Sequence, residues 1–150
     1  MRLGVRLRGL LCAAMLALPG ALAAQTPLPA PREAYVNDFA NILSPAEEDR
    51  LREILQAARQ DPGAEITVAT LDGLKGRRLE DLAAALFDQW GIGDPARNDG
   101  ALLLLMPDDG QTRIELGAGY GRDWDAQARR IMEDTMIPAF ATGAYGEGLE

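Results

Sequence analysis

The feature that most constrains the fold is an apolar run at residues 101–106. The run is far shorter than the ~20 apolar residues that a helix needs to cross a bilayer, so it predicts a buried β-strand. It follows a loop rich in glycine, proline and aspartate, residues 91–100, and this loop follows an amphipathic helix that closes at Trp90. We therefore expect the other elements to pack around this strand.

The flanking patterns predict a βαβ unit followed by a returning strand. Residues 65–71 are rich in β-branched side chains and predict a strand, and residues 79–90 carry apolar side chains at helical spacing. A turn at 107–110 then returns residues 112–116 antiparallel to the central strand. The pattern predicts an α/β fold, a three-layer α/β/α sandwich around a small mixed sheet.

The first residues resemble a targeting signal. Arg2, Arg6 and Arg8 precede an apolar stretch at 10–18, and small residues at 21–23 offer a cleavage site near Ala23. We expect residues 1–23 to be a signal peptide, 24–34 a proline-rich linker, and 35–150 the folded domain, whose last helix opens at 145 and is cut short. The prediction is an exported, periplasmic protein without a transmembrane segment in the mature part.

The residue inventory excludes several kinds of chemistry. The net charge is −8, and removal of the three signal arginines would leave 12 basic against 23 acidic groups, a net charge of −11, which disfavours nucleic acid as a partner. The chain has no histidine, its one cysteine lies in the signal, and Ser44 is the only serine. These counts exclude Ser-His-Asp and Cys-His catalysis and ordinary zinc or copper sites.

A capping box explains the single serine. Ser44, Pro45 and Glu47 form the start signal of a helix, in which the serine hydroxyl serves a backbone N–H group. Only oxygen ligands then remain for a metal, so a bound ion would be a hard cation, calcium or else magnesium, with no organic cofactor. The acidic composition has a second interpretation, a solvated acidic surface without a ligand.

Topology predicts a candidate site. The loop before the central strand and the loop after the returning strand must lie at the same edge of the sheet, so carboxylates and exposed carbonyl groups meet there. The candidate metal ligands at this edge are Asp99 and Asp123, and the supporting residues are Asn98, Gly100, Gly117 and Gly119.

Two simpler interpretations remain open. Asp99 and Gly100 could form only a turn, and Asp123 or Asp125 could only cap the next helix.

Three other motifs lack the context they need. The glycine run at 117–121 does not have dinucleotide-binding spacing, residues 94–100 do not alternate ligands as an EF-hand does, and Asp123-x-Asp125 precedes a helix instead of ending a parallel strand.

Four segments together resemble the TPM domain family. They are YVNDFANILS at 35–44, LFDQWGIG at 86–93, NDGALLL at 98–104 and RIELGAG at 113–119, followed by IPAF at 137–140 and GAY at 143–145. The resemblance implies an exported α/β/α sandwich, often followed by a membrane anchor. Family members are described as calcium-binding, some as acid phosphatases and others as factors in the repair and assembly of membrane complexes.

The resemblance implies that Asp38, like Asp99, is an acidic position that binds metal. The sequence places Asp38 before a helix that could begin at the opposite edge, where Asp38 would pin its own segment. Many family members follow the glycine turn with a glutamate, whereas this chain has Arg122-Asp123-Trp124-Asp125. We expect a calcium-binding domain with acid phosphatase activity, or alternatively a non-catalytic module that assists assembly or quality control of an envelope membrane-protein complex.

Overall fold

A computed structural model describes residues 26–60 and 64–150. The predicted signal peptide at 1–23 lies outside these residues. The Asp-Pro-Gly sequence at 61–63, which predicts the end of the helix that starts after Ser44, lies outside them too. The chain forms four strands and a series of helices in the order that the sequence predicts. The elements are β1 (Val36–Asp38), α1 (Pro45–Gln60), β2 (Glu65–Thr70), α2 (Leu79–Trp90), β3 (Gly100–Met106), β4 (Gln111–Leu116), α3 (Arg122–Ile131), a π-helical turn (Met132–Met136), α4 (Ile137–Ala141) and α5 (Tyr145–Leu149).

The strands form one mixed sheet in the order β1-β2-β3-β4. β1, β2 and β3 run parallel, and β4 returns antiparallel to β3. We call the side where the parallel strands begin, at Glu65 and Gly100, the amino edge, and the side where they end, at Asp38 and Thr70, the carboxyl edge. The predicted βαβ unit and returning strand are confirmed, and the extended segment around Val36 adds a third parallel strand.

Helices cover both faces of the sheet because neighbouring strand residues point to opposite sides. Val68 packs in the cluster that contains Leu51 and Leu55 of α1, whereas its neighbour Ala69 packs in the cluster that contains Leu86 of α2. The three-layer α/β/α sandwich is therefore confirmed. Since β1, β2 and β3 lie in chain order while α1 and α2 lie on opposite faces, one crossover has the common right hand and the other is left-handed.

Apolar side chains at helical spacing after the glycine turn predict a helix that stops near Pro138, but the helix continues past this residue. The N–H group of Ile137 bonds to the carbonyl of Met132 five residues back, which inserts one residue into the helix. The chain then continues through Pro138 to Ala141 as α4. A wider turn of this kind relieves the clash between a proline ring and the preceding turn. The helix therefore has a π-helical turn before Pro138 and is not broken there.

The proline-rich segment before β1 packs against the domain. The indole N–H of Trp90 donates to the carbonyl oxygen of Pro29 at 2.9 Å, and the guanidinium of Arg77 donates to that of Thr26. Leu28 packs against the core cluster beneath α2. We call residues 26–31 the strap.

None of the helices in the described ranges is both long and apolar enough to cross a membrane.

Candidate functional site

Two loops meet at the amino edge, as the topology predicts. The N–H group of Gly117 donates to the carbonyl of Gly100 at 2.8 Å, and that of Gly119 donates to the carbonyl of Asn98 at 2.9 Å. The residues after β4 therefore lie directly on the residues before β3. We call this pair of segments, residues 94–100 and 117–120, the amino-edge loops.

Glycine is required where these loops touch. A Cβ atom on Gly117 would collide with the carbonyl oxygen of Asn98, and one on Gly119 would collide with that of Arg97. Asn98 itself has a φ of 51°, a left-handed conformation that asparagine tolerates better than most residues. The close approach aligns the carbonyl groups of Arg97 and Asn98 at the edge of the sheet.

Asp99 is held by contacts from both loops. Its Oδ1 accepts a hydrogen bond from the backbone N–H of Asp94 at 3.0 Å, and its Oδ2 accepts one from Nε of Arg97 at 2.5 Å. The hydroxyl of Tyr120 donates to the backbone carbonyl of Asp99 at 2.9 Å. The Asp99 side chain therefore closes the loop that precedes β3.

These contacts shift the pKa values of three side chains in the amino-edge loops. The Arg97 guanidinium, and next the Asp94 N–H, lower the pKa of Asp99 below its ordinary value. The hydrogen bond to Asp99 raises the pKa of Arg97. Burial, and secondarily the charge of Asp99, raises the pKa of Tyr120. Asp99 is therefore ionised at neutral pH, as a metal ligand must be.

Asp94 completes the cluster on the opposite side of Arg97. Its Oδ1 accepts from the backbone N–H groups of Ala96 at 2.8 Å and Arg97 at 3.1 Å, and its Oδ2 lies 3.9 Å from Nη1 of Arg97. The guanidinium of Arg97 thus contacts two carboxylates, although more than half of this side chain is exposed. Asp94 is not among the site residues predicted from the sequence. The feature that could have indicated it is the Asp94-Pro95 pair, because such a pair commonly begins a turn.

The donor set fits a hard cation in chemistry but is incomplete in number. Asp94 and Asp99 supply carboxylate oxygens on the two sides of Arg97, whereas the carbonyl of Asn98 already accepts the N–H of Gly119. Among residues 26–60 and 64–150, no group of three or more acidic, histidine or cysteine side chains converges as a metal site would require. A cation here would take the place of Arg97 and would complete its shell with carbonyl oxygens and water, which calcium accepts readily.

The structure places Asp123 in the exposed first turn of α3. The helix begins after Gly121, which makes no side-chain capping bond, so neither Asp123 nor Asp125 is the cap. The hydrogen bonds that the described residues give to the Asp99 carboxylate come from Arg97 and Asp94, and none involves Asp123. Tyr120 connects the two regions, since its ring packs edge-on against Trp124 at 5.5 Å between centroids.

Asp38 lies at the opposite, carboxyl edge. Its Oδ2 accepts from the N–H of Leu43 at 2.9 Å, and its Oδ1 accepts from the N–H of Ile42 at 3.2 Å and from the hydroxyl of Thr70. The side chain is buried, and these bonds pin the connection between β1 and α1. Because Asp38 and Asp99 lie at opposite edges, one ion cannot bind both.

Ser44 forms the predicted capping box. Its hydroxyl donates to Oε2 of Glu47 at 2.6 Å, its backbone N–H donates to the same oxygen at 2.7 Å, and the N–H of Glu47 lies 3.4 Å from the serine Oγ. The hydroxyl of Ser44, then its N–H, lowers the pKa of Glu47. The only serine is therefore engaged in starting α1.

The fold and the amino-edge loops define a class of protein, a three-layer α/β/α domain with a glycine-lined acidic loop beside its central strand. The sequence model of the TPM domain, which carries the name TPM phosphatase, matches residues 36–150. The chain belongs to the TPM domain family.

Two solved structures resemble the chain. The solution NMR structure of the N-terminal domain of a P. gingivalis protein is 39% identical, with a TM-score of 0.66, and the match covers 76% of this chain and 73% of that one. The N-terminal domain of the cg2496 protein from Corynebacterium glutamicum has a TM-score of 0.64 at 15% identity, over 83% of this chain and 78% of that one, and shows a shared fold alone. No curated protein sequence matches the chain.

Proposed function

We propose that this protein is an exported TPM domain that binds a divalent cation at the amino-edge loops, with calcium preferred over magnesium. The observation that supports the proposal is that two carboxylates, Asp94 and Asp99, already share one cationic group, the guanidinium of Arg97. Calcium tolerates the irregular mixture of carboxylate, carbonyl and water ligands that such a loop offers, whereas magnesium demands near-octahedral geometry.

The test is the response of thermal stability to calcium at neutral pH after chelator treatment. At about 100 times its dissociation constant, calcium adds roughly 2.7 kcal/mol to the free energy of unfolding of the wild type, and much less to Asp99→Asn. Magnesium at the same concentration adds less. Asp123→Asn is the matched control, because it removes the same charge from an exposed position without contacts to Asp99. If calcium does not change the melting temperature of the wild type, the proposal is contradicted.

The family name supports phosphatase activity as the accompanying chemistry. The chain has no histidine, and its only serine is a helix cap, so a phosphomonoester would be activated by the bound cation and water. The purified mature protein is assayed with a generic phosphomonoester, with and without calcium, beside Asp99→Asn. Turnover that requires calcium and Asp99 supports this activity, and turnover that survives Asp99→Asn excludes the amino-edge loops from the chemistry.

A second candidate function is that of a non-catalytic module for an envelope membrane-protein complex. The observation that favours it is a groove of about 350 Å³ between α1 and α3, with an apolar lining. Ile54, Trp124 and Ile131 line this groove and are 39%, 50% and 48% exposed. Absence of both a calcium response and turnover would leave this function as the better explanation of the surface.

A further inference from the structure

A separate cavity lies at the carboxyl edge, on the α2 side of the sheet. It has a volume of about 320 Å³ and is bounded by residues 26–29 of the strap, the end of β2 and the loop before α2. Binding sites for small molecules begin at about this size. None of the amino-edge loop residues contributes to its lining.

The outer wall of the cavity is fixed in place. The strap carbonyls of Pro29 and Thr26 accept hydrogen bonds from Trp90 and Arg77, as described above, and Leu28 packs against the core. Leu28 is partly buried in this contact, so the strap is held by apolar as well as polar contacts. The cavity is therefore a feature of the folded domain.

The lining separates apolar and cationic groups. The interior is formed by Leu28, Phe39, Leu71, Leu74 and Leu82. The charged residues of the lining are Lys75, Arg77 and Asp72, and Asp72 is exposed and lies 3.6 Å from Nζ of Lys75. Within the lining itself, two cations and one anion stand over an apolar floor. A second carboxylate, that of Asp109, lies just outside the lining and accepts the N–H of Leu74 at 2.5 Å.

Lys75 adopts an unfavourable backbone conformation at this cavity. Its φ is 50°, in the left-handed region where a long side chain is uncommon, and Gly76 follows with a φ of 82°. A lysine therefore lines the cavity at a position where glycine would be less strained.

From this arrangement we propose that the cavity binds a small amphiphilic anion, whose aliphatic part lies on the leucine floor and whose carboxylate or phosphate contacts Lys75 and Arg77. The guanidinium of Arg77 gives one donor to Thr26 and keeps others for a ligand. The site is independent of the cation site at the amino edge.

Calorimetry on the mature protein tests this with octanoate, octyl phosphate and octylammonium, and with a series of shorter carboxylates. Octanoate or octyl phosphate binds saturably, and the ratio of their dissociation constants identifies the preferred head group. Octylammonium binds at least tenfold more weakly. Each added methylene tightens binding about fourfold until the floor is filled. No saturable binding of either anion, or equal binding of octylammonium, overturns the proposal.

Three variants locate the binding. Lys75→Gln weakens octanoate or octyl phosphate binding about tenfold, in line with the loss of a charge-assisted contact. Arg77→Gln does the same, and because it also frees the strap, Lys75→Gln is the decisive variant. Arg78→Gln is the matched control, since Arg78 is 77% exposed, pairs with Glu80 and does not line the cavity. An equal loss in Arg78→Gln and Lys75→Gln would overturn the assignment.

Discussion

The hydroxyl of Thr70 donates to the carboxylate of Asp38 at the point where the paired strands β1 and β2 end. The same carboxylate accepts the N–H groups of Ile42 and Leu43. One buried side chain therefore joins two strands to the segment that leads into α1.

Asp38→Ala should lower the free energy of unfolding by about 2–4 kcal/mol, because it leaves buried donors without an acceptor. Urea denaturation measures the change. Thr70→Val removes one donor of the Asp38 carboxylate and the acceptor of the Ala40 N–H, and it should cost less because the N–H groups of Ile42 and Leu43 keep their acceptor. Calcium binding per folded molecule should be unchanged in both variants. A weaker calcium affinity with unaltered stability in Asp38→Ala would instead identify Asp38 as a ligand.

Ser44→Ala should lower stability by roughly 1 kcal/mol through loss of the helix cap. Any phosphomonoester turnover per folded molecule should remain at the wild-type value, because the hydroxyl is bonded to Glu47. Thermal melts and initial rates measured on the same samples separate the two effects. Lost turnover at an unchanged melting temperature would make Ser44 a nucleophile.

The capping box also gives the stability a pH dependence. The pKa of Glu47 is lowered from 4.5 in the folded state, chiefly by the Ser44 hydroxyl. The stabilisation is therefore fully present above pH 4.5 and is lost as the pH falls through the lower folded-state pKa. The stability difference between wild type and Ser44→Ala should shrink as the pH falls below 4.5. A difference that is constant over this range would show that Glu47 does not contribute.

Gly119→Ala should destabilise the protein by about 2 kcal/mol or more, because its methyl group would meet the carbonyl oxygen of Arg97. Gly121→Ala is the control in the same segment, since a Cβ atom there meets nothing within 4 Å. That control should cost only about 0.5 kcal/mol, from its position at the start of α3. Equal effects in denaturant titrations would mean that the two loops separate easily.

Arg97→Gln should raise calcium affinity at neutral pH, because it removes the cation that competes for Asp99. The same change removes the largest cause of the lowered pKa of Asp99, so the loss of calcium binding on acidification should move to higher pH. Titrations from pH 7 downwards measure both effects, and Arg78→Gln, with the same charge change elsewhere, should show neither. Weaker binding in Arg97→Gln would mean that Arg97 shapes the site.

The sequence predicted the fold well where hydrophobic period and topology determine it. The run that became β3 could only be buried, and a strand that returns antiparallel must end beside the loop where its partner began. The contact between Gly119 and Asn98 follows from this topology. The capping box at Ser44 was equally predictable, since it depends on residues three positions apart.

Other features depend on tertiary geometry that spacing does not contain. The sequence offered the opposite edge for Asp38 as one possibility, but only the pairing of β1, whose three residues are too few to show a period, decides it. The pairing of Arg97 with Asp99 requires the turn at Asp94 to fold the loop back on itself. The passage of the helix through Pro138 depends on one inserted residue, which the apolar pattern does not reveal.

The order of strands in the sheet is the order of strands in the chain, and this affects how the protein folds. Partners in β1 and β2 are 32 residues apart, as Val36 and Val68, and partners in β2 and β3 are 35 apart, as Glu65 and Gly100. Such spacings are typical of α/β domains, which fold faster than β-sandwiches of similar size. During synthesis β2, β3 and β4 each find their partner already made. The open edge of each earlier strand waits only for the next strand in the chain, so its exposure to aggregation is brief.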